Sequence, residues 1–354
     1  MEKVLMKGNE ALAEAAIMAG CRHFFGYPIT PQTEVAAYMA KRMPKLEGGG
    51  TYLQAESEVA AINMVIGASA AGKRVLTSSS SPGISLKSEG ISYLAGCDLP
   101  AVIINVQRGG PGLGGIQPSQ ADYFQATRPG HGDFHIIALA PNSVQEMVDL
   151  TIRAFDLADE YRMTVMMLAD GILGQMMEPV ELRASEGRSL PEKTWATTGT
   201  GGKRKHNVIN SLYIKPEVLE QTVFERFERY ARLAEKETLF EEYMTDDADI
   251  VLVAYGAASR ISKNAIAEAR AKGIKAGMVR PITLWPFPSA PIAALADKAR
   301  CFLSVEMSMG QMIDDVRLAV NGKRPVYLCN RTGGMVPTPG EILAKIEEIS
   351  AEVK

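Results

Sequence analysis

The chain has 354 residues, with 38 lysines and arginines against 41 aspartates and glutamates, and a formal net charge of −3. This balance argues against a nucleic-acid-binding protein, which usually carries a basic excess or a basic block. Hydrophobic residues make up 46% of the chain and charged residues 22%, so it can bury a sizeable core and is not predicted to be disordered.

The first half of the chain predicts helices that alternate with short apolar strands. Predicted helices cover residues 9–18, 31–42, 57–71, 82–95 and 143–161, and predicted strands cover residues 21–27, 52–54, 75–78, 101–106, a segment near 136, and 164–168. Thr30 could cap the second helix, with Pro31 at its first position. A βα alternation of this kind predicts an α/β fold with a mostly parallel sheet.

The composition changes in the middle of the chain. From residue 178 to residue 214 charged residues, Gly and Thr dominate, which predicts a long loop, and a charged amphipathic helix is expected over 216–242. A smaller α/β unit follows, with strands at 249–254, 275–279, 301–305 and 326–329 and helices at 258–272, 311–320 and 340–353. We therefore predict one domain over 1–190, a linker with a charged helix over 191–246, and a second domain over 247–354.

The cysteines and histidines predict no metal or cluster site on this chain. The four cysteines are dispersed, at Cys21, Cys97, Cys301 and Cys329. No C-x-x-C pair occurs, so an iron–sulfur cluster, a zinc ribbon or a redox dithiol encoded here is not expected. His131, Asp133 and His135 alternate as on a strand, but no further ligand spacing supports a metal.

The hydropathy pattern predicts neither a signal peptide nor a membrane span. The first residues lack a long apolar segment. No run of about 18 apolar residues occurs anywhere in the chain. We therefore expect a cytoplasmic protein with no membrane partner.

Two polar segments at the ends of predicted strands are candidates for ligand binding. Residues 26–34 follow the first strand, where ligands bind in open α/β sheets, and two prolines present Thr30 at the turn. Glu58 begins an apolar helix, and a carboxyl in that position could share a proton with a ligand nitrogen. The alternative roles are a helix cap for Thr30 and an ordinary acidic residue of a first helical turn for Glu58.

A hydroxyl-rich turn between a strand and a helix is the third candidate. It spans residues 77–85 and includes Ser79 and Ser80. Backbone N–H groups at the helix start could bind an anion, whereas capping by the hydroxyls is the alternative. The turn does not match G-x-S-x-G, so the nucleophile elbow of a serine hydrolase is not supported.

A glycine-rich loop after the buried strand at 101–106 is the fourth candidate. Gly110, Gly112 and Gly115 match G-x-G-x-x-G, but no helix pattern opens there, so we reject a dinucleotide fingerprint. Arg108 remains as a single cation at the strand end. Its guanidinium could hold a carboxylate with two hydrogen bonds, and a structural ion pair is the alternative.

Six segments in this order resemble a known family. They are Y-P-I-T-P, E-S-E-V-A-A-I, T-S-S-S-S-P-G-I-S, Q-R-G-G-P-G, R-P-I-T-L-W-P-F-P over 280–288, and V-E-M-S-M-G-Q-M over 305–312. Over nearly its whole length the chain resembles the alpha subunit of the 2-oxoacid:ferredoxin oxidoreductases. Among these it is most similar to the branched-chain type, which uses 2-oxoisovalerate (3-methyl-2-oxobutanoate).

The resemblance implies a fold and a shared cofactor site. Residues 1–190 resemble the pyrimidine-binding domain of thiamine diphosphate enzymes, and residues from 247 onward resemble the transketolase C-terminal-like domain. The G-D-G…N-N pattern of a pyrophosphate- and Mg²⁺-binding domain is missing. The cofactor is therefore expected at an interface with a beta subunit that carries that domain.

Residue roles carry over from the resemblance by position. Glu58 matches the glutamate that hydrogen-bonds N1′ of the aminopyrimidine and so promotes loss of the thiazolium C2 proton. Thr30 and Arg108 match residues that bind the substrate carboxylate. Further contacts to the cofactor or its cavity are implied for Pro28, Ser79 and Ser80. It stays open whether Gln117 or Gln120 reaches the substrate.

The implied reaction needs several partners. Family members oxidatively decarboxylate a 2-oxoacid to acyl-CoA and CO₂ and reduce ferredoxin, with coenzyme A as co-substrate. Thiamine diphosphate is shared with the beta subunit, and Mg²⁺ and [4Fe-4S] clusters are expected on partner subunits. These partners would be the beta subunit, a gamma subunit and a ferredoxin-like delta subunit, with ferredoxin as the electron acceptor.

Three alternatives remain at this point. The chain could belong to a 2-oxoglutarate- or pyruvate-specific member, to a non-catalytic assembly subunit, or to half of a split non-redox thiamine enzyme. After Arg108 the chain has no Arg or Lys before Arg128, which favours a substrate with an apolar side chain. The presence of Glu58 and Thr30 together with Arg108 argues against a non-catalytic subunit.

Overall fold

The computed structural model describes residues 3–183 and 188–352. Its first α/β unit contains eight strands and seven α-helices within the described residues. In chain order these are β1 (Val4–Lys7), α1 (Gly8–Met18), β2 (His23–Gly26), α2 (Thr33–Arg42), β3 (Thr51–Gln54), α3 (Glu58–Ala70), β4 (Val75–Ser79), α4 (Ser81–Gly96), β5 (Ala101–Gln107), α5 (Tyr123–Thr127), β6 (Ile137–Leu139), α6 (Val144–Tyr161), β7 (Thr164–Asp170), α7 (Gly171–Gln175) and β8 (Met177–Val180).

A long helix leads into the second unit. The remaining elements are α8 (Pro216–Glu237), β9 (Phe240–Tyr243), β10 (Ile250–Val253), α9 (Gly256–Ala271), β11 (Ala276–Pro281), β12 (Thr283–Trp285), α10 (Ser289–Leu295), β13 (Cys301–Glu306), α11 (Met312–Val320), β14 (Val326–Asn330) and α12 (Pro339–Glu352). In the part of the chain that the structure describes, no helix is long and apolar enough to cross a membrane.

Two mostly parallel sheets organise the molecule. The larger has seven strands in the order β12-β6-β7-β5-β4-β2-β3, and only β12 runs antiparallel to its neighbour. The smaller has five strands in the order β14-β13-β10-β11-β9, with β9 antiparallel. The predicted α/β fold with a mostly parallel sheet is confirmed.

The central strand β5 shows why its sequence is almost continuously apolar. All seven of its side chains are buried. Val102 and Ile104 belong to the core formed with α1, α2 and α6, whereas Ile103 belongs to the core formed with α3 and α4. Successive residues of a strand point to opposite faces, so a strand covered on both sides is mainly apolar on both; the polar residues of β5, Asn105 and Gln107, lie at its carboxyl end.

The charged helix predicted over 216–242 is too long. Helix α8 ends at Glu237, and residues 240–243 form β9, which pairs antiparallel with β11. Arg280 on β11 forms a salt bridge with Glu241 on β9. The periodicity of a charged helix could not reveal this strand, because its pairing partner lies about forty residues away in the chain.

Several short elements were missed by sequence reasoning. β1 pairs antiparallel with β8, so the loop predicted from 178 begins after residue 180. Helix α5 lies within the predicted loop before residue 129, and β12 and α10 are also additions. These elements have three to seven residues each, too few for a hydrophobic period to be read. The predicted end of the last helix at Val353 lies outside the described residues.

A strand that follows the second unit's β11 completes the sheet of the first unit. β12 follows the second unit's β11 in the chain but pairs with β6 at the edge of the first unit's sheet. Beside it the His135 ring stacks on Trp285, with ring centroids 4.5 Å apart, and contacts Tyr230 of α8. The division at residues 190 and 247 stays a prediction.

Candidate active site at the carboxyl edge of the large sheet

The predicted site residues gather at one edge of the seven-stranded sheet. Glu58 begins α3, Ser79 ends β4, Ser80 follows it and Arg108 follows β5, while Thr30 lies in the loop after β2. These strands are parallel, so their carboxyl ends meet at the same edge. All of these residues except Thr30 are buried, and Pro28 beside it is also exposed.

The loop after β2 is held by Gln32, and the predicted cap by Thr30 is wrong. α2 begins at Thr33, and its N-cap residue is Gln32, whose side chain does not cap it. The Gln32 side chain is fully buried, donates to Tyr27 O at 3.1 Å and accepts from Ser78 Oγ at 2.5 Å. The buried Gln32 side chain therefore links the turn to Ser78 of β4, and Thr30 lies on the exposed side of the turn.

Glu58 is presented by a capped helix start. Ser57 Oγ accepts a hydrogen bond from Ala60 N at 3.1 Å, as an N-cap residue should. Glu58 is only 6% exposed. A Cβ atom on Gly83 would lie 2.6 Å from Glu58 Oε1, so the carboxylate rests against the first turn of α4. Among the residues that the structure describes, none donates a hydrogen bond to this carboxylate.

Ser79 and Ser80 carry buried hydroxyls without partners. Both residues are fully buried, and neither Oγ atom has a hydrogen-bond partner within the described residues. Ser80 is the N-cap residue of α4, yet its side chain does not cap the helix, so the capping alternative is wrong there. Leaving a buried hydroxyl without a hydrogen-bond partner destabilises the protein by about 1–3 kcal/mol. Two such hydroxyls side by side therefore indicate a place where a ligand binds.

Arg108 is held between two loops by backbone carbonyls. It is 7% exposed, and it donates to Thr30 O at 2.9 Å and to Leu113 O at 3.0 Å. Its Nε is buried and has no partner among the described residues. It forms no salt bridge there, so the structural ion-pair alternative is wrong. A guanidinium has five N–H donors, and most of them remain for a ligand.

The glycine-rich loop folds back on itself. Gly109 N donates to Gln117 O and Gly115 N donates to Gly109 O, both at 2.9 Å. Gly114 has a φ of +57°, and a Cβ atom there would lie 1.9 Å from Gly109 O, so only glycine fits. No helix begins at the G-x-G-x-x-G residues 110–115, since the next helix, α5, begins at Tyr123, which agrees with the rejection of a dinucleotide fingerprint.

The two glutamines that follow have different environments. Gln120 is fully buried; its Nε2 donates to Tyr255 O at 2.8 Å, and its Oε1 accepts from Met307 N at 3.0 Å. It therefore joins the first unit to the second and is not free to reach a substrate. Gln117 lies exposed on the loop and is the one that remains available.

An acidic side chain that sequence reasoning missed anchors the base of this loop. Asp122 Oδ2 accepts from Ser81 Oγ at 2.6 Å and from Asn105 Nδ2 at 2.9 Å. Burial raises the pKa of Asp122, and these two hydrogen bonds oppose the change. No sequence signal singled it out, because its partners lie on α4 and β5.

A cavity of about 840 Å³ opens beside these groups. It lies between the start of α4, the glycine-rich loop and the second unit, and Leu86 and Met309 line its apolar part. Large apolar side chains are exposed around the same edge, at Leu53, Val59, Leu86, Leu113 and Ile116. Exposed apolar patches of this kind mark surfaces that bind ligands or other proteins.

The histidine pair does not form a cluster. The His131 ring contacts Tyr93, whereas His135 stacks on Trp285. Over residues 3–183 and 188–352 no group of three or more His, Cys, Asp or Glu side chains is placed to hold a metal ion.

Two family models together span most of the chain. Residues 14–245 match "Pyruvate flavodoxin/ferredoxin oxidoreductase, thiamine diP-bdg", and residues 248–342 match "Pyruvate:ferredoxin oxidoreductase core domain II". The first model covers the candidate site described above.

Known relatives match the chain from end to end. The ketoisovalerate oxidoreductase subunit VorB of Methanothermobacter marburgensis is 52% identical over 353 residues, which covers 99% of both chains. The 2-oxoglutarate synthase subunit KorA of Methanothermobacter thermautotrophicus is 38% identical and covers 98% of both. The pyruvate synthase subunit PorA of Pyrococcus horikoshii is 30% identical over 92% of this chain and 88% of its own.

Solved structures share the fold. A 2-oxoglutarate:ferredoxin oxidoreductase from Magnetococcus marinus, with 2-oxoglutarate, coenzyme A and succinyl-CoA bound, matches with a TM-score of 0.88 at 28% identity. The match covers 98% of this chain and 65% of that one. A split-gene transketolase, an inactive tetramer, matches over 99% of both chains with a TM-score of 0.64, and its 13% identity supports the fold alone.

Proposed function

Because this chain belongs to the alpha-type subunits of the 2-oxoacid:ferredoxin oxidoreductases, we propose that it builds the aminopyrimidine and oxoacid side of a thiamine diphosphate site for branched-chain 2-oxoacids. The overall reaction converts 2-oxoisovalerate and coenzyme A to the acyl-CoA and CO₂. The two electrons released pass to ferredoxin.

The observation that carries this proposal is the Glu58 carboxylate. It is buried at a helix start, rests against α4 and accepts no hydrogen bond from the described residues. A carboxyl in this state suits a ring nitrogen that shares a proton with it. The unpartnered hydroxyls of Ser79 and Ser80 beside it fit a polar ligand as well.

Thiamine diphosphate, when bound, supplies the electron sink that decarboxylation of a 2-oxoacid requires. In the proposal Glu58 holds the proton at N1′ of the aminopyrimidine. Pro28 packs near the cofactor from the exposed loop after β2, and Ser79 and Ser80 line the cavity around it. Because Glu58 is only 6% exposed, its interaction with the ring would be stronger than the same interaction in water.

Arg108 and Thr30 are proposed to bind the substrate carboxylate. The guanidinium is already positioned by two carbonyls, so little side-chain freedom is lost when it binds a ligand. Its unpartnered Nε and the hydrogens left on its terminal nitrogens can donate to the two oxygens of one carboxylate. The exposed Thr30 lies beside it and adds a hydroxyl donor.

An apolar acyl chain fits the surroundings of the site. Leu86 and Met309 line the neighbouring cavity, and among the described residues that line it the only charged side chain is that of Asp122. A second carboxylate, as in 2-oxoglutarate, would need a cationic side chain, and the described lining of this cavity contains no lysine or arginine. The similarity to VorB, a ketoisovalerate oxidoreductase subunit, supports the same choice.

The remaining cofactors are assigned to partner subunits. The beta subunit is proposed to bring Mg²⁺ and the pyrophosphate site, and the exposed apolar side chains around the site edge would pack against it. Gamma and ferredoxin-like delta subunits would complete the complex and, with the beta subunit, hold the [4Fe-4S] clusters. Because the electron acceptor in this proposal is ferredoxin, we place the complex in the cytoplasm.

A panel of 2-oxoacids tests this proposal. The chain is purified in complex with its partner subunits, and coenzyme A-dependent reduction of a viologen dye is measured with 2-oxoisovalerate, 2-oxoglutarate and pyruvate. We expect 2-oxoisovalerate to be among the best substrates by kcat/KM. Preference for 2-oxoglutarate or pyruvate would refute the branched-chain assignment, and no dye reduction with any oxoacid would refute the redox function.

A further inference from the structure

Asp122, just ahead of α5, links the ends of two other elements. Its Oδ2 accepts a hydrogen bond from Ser81 Oγ at the start of α4, at 2.6 Å, and one from Asn105 Nδ2 on β5, at 2.9 Å. Its backbone N–H donates to Gln107 Oε1 at 3.1 Å. Within the described residues the carboxylate forms no salt bridge, so neutral donors stabilise its charge.

Ser81 connects this carboxylate to the backbone of Arg108. Arg108 N donates to Ser81 Oγ at 3.1 Å. The Ser81 hydroxyl lies 2.6 Å from Asp122 Oδ2 and 3.2 Å from Arg108 O, so its proton goes to the carboxylate, which is the stronger acceptor. A continuous path of hydrogen bonds therefore runs from Asp122 through Ser81 Oγ to the amide of Arg108.

Asn105 closes this path into a ring. Its Nδ2 donates to Asp122, while its Oδ1 accepts a hydrogen bond from Ser81 N at 3.2 Å. Ser81 and Asn105 are buried, and the hydrogen bonds of a buried network polarise and strengthen one another. Loss of one member leaves buried polar groups without partners, so the ring resists displacement of any of its members.

Arg108 is thus fixed at both ends of the residue. The ring holds its backbone, and the carbonyls of Thr30 and Leu113 hold its guanidinium at 2.9 and 3.0 Å. A shift of the backbone would move the guanidinium relative to those carbonyls and to any ligand that it binds. Such a shift matters, because a misplacement of about 1 Å can cost an enzyme about 10²-fold in rate.

Other carboxylates near the site serve different elements. Asp170 accepts from two backbone N–H groups of α7, and Glu306 accepts from three around the start of α11. Within the described part of the chain, neither hydrogen-bonds to Ser81 or to Arg108. Asp122 is therefore the carboxylate whose removal would release the backbone of Arg108.

We propose that Asp122 is a positioning residue that holds the backbone of Arg108, through Ser81, where the guanidinium can bind the oxoacid carboxylate. This role rests on the proposed function of Arg108 in substrate binding. Asp122 itself does not contact the substrate in the proposal; it acts through the hydrogen bond between Ser81 Oγ and Arg108 N.

The first test is Asp122→Ala in the assembled complex, with the dye assay. The KM for 2-oxoisovalerate should rise about tenfold, which corresponds to the loss of one well-aligned hydrogen bond to a charged group. The kcat should change much less, and binding of thiamine diphosphate, followed by calorimetry, should be kept. Asp122→Asn retains an oxygen that can accept from Ser81 and should restore most of the KM. An unchanged KM in Asp122→Ala would overturn the proposal.

A double-mutant cycle separates positioning of Arg108 from a general effect on stability. If Asp122 acts through Arg108, Asp122→Ala should cause no further rise of KM in an Arg108→Ala background, because the group that it positions has been removed. Independent effects would instead multiply, giving a further rise of about tenfold. That outcome would also overturn the proposal.

Asp159→Ala is the matched control, because Asp159 is a buried aspartate whose partners are Arg74, ahead of β4, and Lys193. It should lower the melting temperature and leave the KM unchanged; an equal rise of KM in this control would overturn the proposal. If Asp122→Ala does not assemble, Ser81→Ala interrupts the same path and should show the same rise and the same cycle. Failure of the proposed function is recognised separately, by an unaltered KM in the single variant Arg108→Ala.

Discussion

At the scale of single residues, the chemistry depends on polar groups that are buried and incompletely paired. The hydroxyls of Ser79 and Ser80 and Nε of Arg108 are withdrawn from solvent and have no partner among the described residues, and Glu58 beside them is only 6% exposed. Such groups reduce the stability of the free protein. They are consistent with a site that is completed by its ligands.

Glu58→Gln tests the proposed proton-sharing role. Glutamine keeps the size of the side chain but cannot exchange a proton with N1′, so C2 exchange and dye reduction should fall about 10²–10⁴-fold, the usual contribution of general acid–base catalysis. Both rates are measured on the assembled complex. Glu56→Gln, two residues earlier and exposed, should retain normal rates. Undiminished turnover in Glu58→Gln would exclude the catalytic assignment.

Arg108→Ala tests the proposed carboxylate contact. Hydrogen bonds to charged groups contribute about 1.5–3 kcal/mol, so the KM for the oxoacid should rise about 10- to 100-fold. Binding of thiamine diphosphate, followed by calorimetry, should be largely kept. Arg128→Ala is the control, since Arg128 is an exposed arginine of the same unit that pairs with Asp315. An unaltered KM for every oxoacid would count against the assignment.

At the scale of elements, the start of α4 determines the geometry of the site. Its first turn approaches both β4 and α3, which is possible because position 83 has no side chain. The same helix buries Lys87 one turn later and places Ser81 on Asp122 at the base of the glycine-rich loop. A small displacement of α4 would therefore move several groups of the site together.

Gly83→Ala should distort this arrangement. The added methyl group would lie 2.1 Å from Ser79 Oγ, and overpacking of this kind costs about 1–3 kcal/mol. We expect a lower melting temperature and a loss of C2 exchange of at least about tenfold. Gly67→Ala in α3 is the control, because nothing lies within 4 Å of its added methyl group. Full activity in Gly83→Ala would show that α4 need not hold this position.

At the scale of the whole molecule, the second unit contributes to the frame around the site. The Gln120 side chain of the first unit hydrogen-bonds to the backbone of Tyr255 and Met307 in the second unit. Tyr123 on α5 donates to Asp315 on α11 at 2.6 Å. The cavity beside the glycine-rich loop is lined by residues of both units. The relative position of the units therefore sets the shape of the space next to the substrate.

Gln120→Ala should weaken this junction. The substitution leaves the buried Met307 N–H without its partner, which costs about 1–3 kcal/mol, and removes one of the two hydrogen bonds that the Tyr255 carbonyl accepts. We expect a clear fall in melting temperature by calorimetry. Gln117→Ala, on the exposed part of the loop, should melt at the wild-type temperature. Equal melting temperatures for the two variants would contradict the assigned role of Gln120.

Local sequence determined the elements whose pattern is complete within a short segment. The strand β5 and the helix α3, predicted over 57–71 and found at Glu58–Ala70, are examples, because the causes of both lie within a few neighbouring residues. The ordered motifs that carried the family resemblance were likewise readable without a structure. The lack of a cysteine spacing that could hold an iron–sulfur cluster was also readable from the sequence alone.

Tertiary structure alone decided the features that depend on distant partners. Strand β9 exists because β11 pairs with it, and β12 because β6 does. The hydrogen bonds of Gln120 to Tyr255 and of Arg108 to Thr30 join residues that are far apart in the sequence, so the sequence alone could not show that Gln120 is held in place or how Arg108 is positioned. Hydrogen bonds and burial are properties of positions in space, and only the folded chain brings those positions together.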